Sequence, residues 1–161
     1  MAVDMFIKVA GIKGESTDDK HKGEIDVLAW SWGLSQSGSF QSGGGGGAGK
    51  ASFNDLTLTK WVDVASPLLM LYCASGEHIP DATLVVRKAG GKGPLEYIKI
   101  VMKKVMVSSV ATGGSGGEDR LTENVSLNFA EVNVDYVQQK DDGTGEAPKQ
   151  FKWDISANKK L

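Results

Sequence analysis

The chain has one cysteine, Cys73, so no disulfide can form within its 161 residues. It has two histidines, His21 and His78, far apart in sequence. No pair of cysteines or histidines has the spacing of a zinc site, and Cys73 in an apolar stretch reads as a small core residue. No apolar run approaches the ~18 residues of a membrane span. The opening, MAVDMFIKVAGIKGES, places Asp4 early and lacks a basic leader, so it does not read as a secretory signal peptide. Export would therefore need another route. A formal net charge of −2 excludes a global attraction to nucleic acid or acidic membranes. Proline is scarce and glycine abundant, 4 against 21, which points to tight turns and glycine-rich connections rather than stiff linkers. The length suits a single domain over residues 1–161.

What is present is mostly strand. The segments are 5–9, 24–37, 53–62, 82–88, 95–110, 124–137 and 151–156, and the turn AGGKGP joins 82–88 to 95–110 as a hairpin. That number of short strands predicts a mainly β fold, a barrel or a sandwich. Two strands change parity. Ile25 and Val27 share one face, whereas Leu28, Trp30, Trp32 and Leu34 share the other; Val125, Leu127 and Phe129 give way to Val132, Val134 and Tyr136. A parity change requires a bulge, a sheet corner or an exchange of buried face. One helix is expected after residue 65, with Ser66 as its cap, Pro67 in its first turn and Gly76 at its end.

Four stretches could carry chemistry. GGGGAGK, Gly44–Lys50, fits the first seven positions of a phosphate-binding loop. The next residue is Ala51, where Mg²⁺ binding needs Ser or Thr, and a strand pattern follows where a helix is required. A nucleotide-dependent enzyme is therefore disfavoured against a loop between two strands. The connection 111–124 holds Glu118, Asp119, Arg120 and Glu123, which read as solvated turn charges rather than acid–base catalysts. A Ser-His-Asp triad lacks the G-x-S-x-G elbow that would anchor it. Trp30 and Trp32 could stack on bases or sugars in a small ligand- or nucleic-acid-binding barrel, but core packing is favoured and no basic patch accompanies them. No catalytic, cofactor-binding or metal-binding residue is assigned, and no cofactor is expected.

FIKVAGIKGES, HKGEIDVLAWSWGLSQSGS, GGGGGAGK, LYCASGEHIPDATLVVRKAGG and SSVATGGSGGEDRLTENVSLNF occur in that order. Together they resemble the haemolysin-coregulated protein (Hcp) family of bacterial type VI secretion systems, over nearly the whole chain; the tail from Asp141 matches more loosely. The resemblance implies a small β-barrel of two bent antiparallel sheets with one flanking α-helix, like a phage tail-tube protein. It implies a non-enzymatic structural subunit that forms homohexameric rings. These stack into the inner tube of a contractile apparatus with a sheath and a spike protein. The subunit would start in the cytoplasm and be secreted through the system without a signal peptide. Small effector proteins would travel in the ring lumen, with no nucleic acid and no membrane insertion. The glycine-rich segment Ser42, Gly43, Gly44, Gly45, Gly46, Gly47, Ala48, Gly49 and Lys50 then corresponds to an extended loop that makes contacts within and between rings. If Trp30 and Trp32 face the core, Ser31 faces the other way, together with Ala29 and Gly33. That small, weakly polar face suits either a channel wall touching cargo or an ordinary solvent face.

Overall fold

The computed structural model describes residues 3–38 and 49–161. Those residues form ten strands and one helix. In chain order they are β1 (Val3–Val9), β2 (Ile25–Ser31), β3 (Leu34–Ser35), β4 (Ser52–Phe53), β5 (Leu56–Trp61), α1 (Ser66–Ser75), β6 (Ile79–Lys88), β7 (Leu95–Thr112), β8 (Thr122–Tyr136), β9 (Lys149–Asp154) and β10 (Lys159–Lys160). Eight strands form one sheet in the order β10-β9-β8-β5-β2-β1-β6-β7, and β7 pairs again with β8. That last pairing closes β8, β5, β2, β1, β6 and β7 into a six-stranded antiparallel barrel. Closure removes the exposed edges that an open sheet of this length would present. β9 and β10 continue the sheet beyond the barrel, and β3 and β4 form a separate two-stranded ladder.

The core follows from alternation. Leu56 and Leu58 on β5, Val125 and Leu127 on β8, Ile100 and Met102 on β7, and Ile7 and Ile25 on β1 and β2 are all buried in one cluster. Burying each such side chain contributes roughly 1.5–3 kcal/mol. Leu69 of α1 reaches the same cluster and covers one end of it.

The parity change on β2 is a bulge, and that on β8 is a corner without a register shift. On β2 the register with β5 shifts between Val27 and Ala29. Val27 is buried, Leu28 and Ala29 are both exposed, and Trp30 turns back against the core. Leu28 is the extra residue, so it does not share the face of Trp30 and Trp32, and Leu34 is exposed as well. On β8 the change falls at Ala130, opposite Lys104 of β7. Lys104 has φ 56°, a left-handed conformation rare outside glycine. Both β7–β8 and β6–β7 pairing skip it, so β7 and β8 change parity together and the barrel wall bends there.

Sheet β6 is covered on both sides. Leu84 and Val86 belong to the barrel core, while Val85 and Arg87 are buried on the opposite face with Phe6 of β1. The cover comes from the loop of residues 13–24. Its neck is drawn shut by Gly14 N–H donating to Gly23 O at 2.8 Å and Ser16 N–H to Glu24 O at 2.9 Å. A side chain at Gly14 would collide with the Glu24 backbone, and Gly23 has φ 77°, so glycine is required at both ends of the neck.

The helix starts differently from the sequence expectation. Its N-cap is Ala65, without a side-chain cap, and Ser66 is the first helical residue. The Ser66 hydroxyl instead accepts from Asp63 N–H at 3.0 Å and donates to Glu123 Oε2 at 2.6 Å. Gly76 ends the helix in the left-handed conformation, with its N–H donating to Tyr72 O.

Candidate functional site

The outward side chains of four adjacent strands make one continuous wall. Ser31 of β2 lies opposite Thr57 of β5, Thr57 opposite Ser126 of β8, and Ser126 opposite Ser109 of β7. The next row is Ala29, Thr59, Asn124 and Ala111. Ser31 is exposed, while Trp30 and Trp32 on either side are half-buried against the core. The alternation expected around Ser31 is therefore present. Two pairs of polar side chains meet across β5 and β8 within the wall: Thr57 Oγ1 and Ser126 Oγ are 3.1 Å apart, and Thr59 Oγ1 donates to Asn124 Oδ1 at 2.7 Å.

Next to this wall stands the base of the glycine-rich loop. β3 and β4 pair through Leu34 with Phe53 and Ser35 with Ser52, forming a short stalk. Trp32 fixes its foot. Its ring stacks on Phe53 at 6.3 Å, approaches Phe129 at 6.2 Å, and its Nε1–H donates to Asn54 O at 2.9 Å. Ser42, Gly43, Gly44, Gly45, Gly46, Gly47 and Ala48 lie outside the described residues. Gly49 and Lys50 are exposed at the return of the loop. The residues after Lys50 run into β4 and then β5, so a strand follows the phosphate-loop match where that motif needs a helix.

Asp55 follows the stalk directly. Its Oδ2 accepts from Ser108 Oγ of β7 at 2.6 Å, and its Oδ1 accepts from Asn128 Nδ2 of β8 at 2.8 Å. Ser31, Trp32, Asn54, Asp55, Thr57 and Ser126 enclose an open depression of about 550 Å³ where stalk and wall meet.

Of the charges in 111–124, Glu123 is not solvated. It is 1% exposed, and its Oε2 accepts from Lys60 Nζ at 2.6 Å and from Ser66. Lys60 is fully buried and also donates to Asp63 Oδ1 at 2.8 Å and Trp61 O at 2.7 Å. Lys60 shares the inward parity of Leu56 and Leu58, and Glu123 that of Val125 and Leu127, so the turn assignment of Glu123 gave way to the strand. Glu118, Asp119 and Arg120 are exposed, and the Arg120 guanidinium lies 4.3 Å from the Trp61 ring centre. A second ionic group ties the 13–24 loop to the barrel. Arg87 donates to Asp18 and, at 3.4 Å, to Asp4, while its guanidinium lies 4.9 Å from the Phe6 ring centre. His21 stacks on Phe6 and places its two ring nitrogens against Glu24 at 3.0 Å and Glu96 at 2.8 Å. Both clusters join strands and loops structurally. Cys73 is half-buried against the core, and among the described residues no three His, Cys, Asp or Glu side chains are grouped to hold a metal.

Residues 6–136 match the family model described as type VI secretion system effector, Hcp. The chain belongs to the Hcp family. It is 60% identical to Protein hcp1 of Pseudomonas aeruginosa over 159 residues, covering 98% of each chain. Among solved structures, Hcp1 of Salmonella typhimurium superposes with a TM-score of 0.83 at 42% identity, covering 100% of both chains. A second structure, of a type six secretion system protein, superposes with a TM-score of 0.91 at 34% identity, covering 98% and 99%. The structural match spans the barrel and also β9 and β10, which lie beyond the residues matched by the family model. This is a type VI secretion family with a β-barrel fold. No helix among the described residues is long and apolar enough to cross a membrane.

Proposed function

We propose that this chain is the structural subunit of a type VI secretion inner tube. Six copies close into a ring, rings stack into a tube inside the contractile sheath, and the tube carries small effector proteins behind the spike. The subunit is made in the cytoplasm and leaves the cell as part of what is secreted. It works by assembly and containment, without bond-making chemistry or a cofactor.

The observation that carries this reading is the wall of Ser31, Thr57, Ser126 and Ser109 over Ala29, Thr59, Asn124 and Ala111. Small side chains over four strands, with Thr57 paired to Ser126 and Thr59 to Asn124, suit the lining of a channel, and membership of the Hcp family supports the ring reading. In the ring the wall faces inward and Ser31 touches cargo. The glycine-rich segment Ser42–Lys50 makes contacts within and between rings. Contacts of a glycine-rich loop are individually weak because ordering it is costly, and sixfold repetition adds them.

Two variants test the reading. Ser31→Trp should leave the mass of the assembly unchanged and abolish retention of co-expressed effector; normal retention would contradict the placement of Ser31. Deletion of Gly43–Gly47 should preserve rings and weaken tube formation, and unimpaired tubes would remove the loop from stacking.

A further inference from the structure

We propose that the depression at the foot of the stalk is a binding subsite for a cationic side chain, arginine above all, presented by a polypeptide in the channel. The inference rests on the carrier reading for the source of that polypeptide; the recognition chemistry rests on the pocket.

Among the described residues lining the depression, Asp55 is the only charged one, where it joins Ser31, Trp32, Asn54, Thr57 and Ser126. Several partly or fully buried carboxylates have cationic partners: Glu123 and Asp63 share Lys60, Asp18 takes Arg87, and Glu24 faces His21, whereas Asp26, Glu131, Asp135 and Asp154 lie away from this depression without an ion pair among the described residues. Asp55 forms no ion pair with any described cationic side chain. The rows of the wall beside it carry only Ala, Ser, Thr and Asn. The carboxylate nevertheless does not swing freely. Ser108 fixes one oxygen and Asn128 the other, from two different strands. Each oxygen keeps a further lone pair, so the pair presents a fixed two-pronged acceptor. That is the complement of a guanidinium fork, and holding it in advance lowers the cost of binding.

The remaining lining fits the same ligand. The aromatic side chain of Trp32 lines the depression beside the carboxylate, and the hydroxyls of Ser31, Thr57 and Ser126 can accept the outer N–H groups. At about 550 Å³ and open to solvent, the depression admits a long side chain from an extended segment. An anionic segment meets only repulsion there. Around a sixfold ring the subsite recurs six times, so weak individual contacts hold a basic stretch and exchange quickly along it.

The test uses the intact purified chain and fluorescein-labelled nona-arginine, followed by anisotropy at low ionic strength, with nona-glutamate alongside. Wild type should bind nona-arginine saturably and leave nona-glutamate free. Asp55→Asn should weaken binding about tenfold, the scale of one charge-assisted contact. Glu118→Gln removes the same formal charge from an exposed connection and should leave affinity unchanged. Ser31→Trp fills the depression without altering the carboxylate and should weaken binding at least as much, which decides the matter if Asp55→Asn fails to fold. Absence of saturable binding, equal loss in Asp55→Asn and Glu118→Gln, or undiminished binding by Ser31→Trp overturns the subsite. Light scattering on the same samples separates the two ideas. Ring mass without arginine binding overturns the subsite and leaves the tube reading standing, whereas Asp55-dependent binding by a monomer supports the subsite and removes the ring.

Discussion

Lys60 Nζ and Glu123 Oε2 lie 2.6 Å apart with neither side chain exposed, joining β5 to β8 beneath the first turn of α1. Asp63 and Ser66 complete the cluster, so the helix starts on top of a buried ion pair. Removing one partner leaves an uncompensated charge in the barrel. Lys60→Met should destabilise the fold by ~3–5 kcal/mol, and Lys60→Met with Glu123→Leu should recover more than half of that loss. Urea unfolding at fixed chain concentration gives both values. A double variant no better than the single one would mean the pair is not the coupled unit described here.

Lys104 holds the left-handed conformation at the corner where β7 and β8 change parity. Glycine adopts that conformation without strain, whereas a β-branched residue resists it. Lys104→Gly should be neutral or stabilising by up to ~1 kcal/mol, and Lys104→Val destabilising by ~1–2 kcal/mol. The order of the two thermal midpoints is the readout.

Two aspartates titrate in opposite senses. Asp18 is held below its ordinary 3.8, chiefly by its hydrogen bond to Arg87. Its ionised form is favoured by folding, so the stability it contributes is full above the ordinary value and is lost as pH falls through the lower folded value. Asp26 is raised above 3.8, first by burial, against an opposing attraction from Arg120. Its ionised form is disfavoured by folding, so stability declines as pH rises through its folded value. Asp18→Asn should therefore destabilise at neutral pH and Asp26→Asn stabilise; the Asp18 difference should shrink as pH falls below 3.8, and the Asp26 difference earlier, as pH falls through its raised folded value towards 3.8. Unfolding midpoints across that range check both signs.

Much of the architecture was legible as alternation. Period-two alternation puts Ser31 opposite the core side once Trp30 and Trp32 face it, and the change from Phe129 to Val132 marks a parity change in β8 that the structure resolves as a corner. The same rule, carried one step further along β5 and β8, places Lys60 in line with Leu56 and Leu58, and Glu123 in line with Val125 and Leu127. Charge masked that signal, since isolated charges usually mark turns, and it takes two strands in register to make them partners. Other features depend on contacts distant in sequence. Asp55 finds Ser108 and Asn128 at separations of 53 and 73 residues, so no local pattern marks it. The left-handed Lys104 is imposed by pairing on both sides of β7, and nothing in its own side chain favours it. Ser66 reads as a helix cap by residue type alone, but a buried carboxylate competes for its hydroxyl and wins.

The central claim is assembly through closed symmetry, and the solution mass of the purified chain tests it most directly. Multi-angle light scattering should give about 103 kDa, six copies of the 17.1 kDa chain, stable on dilution through the micromolar range. A single species at 17.1 kDa over the whole range would contradict the tube account.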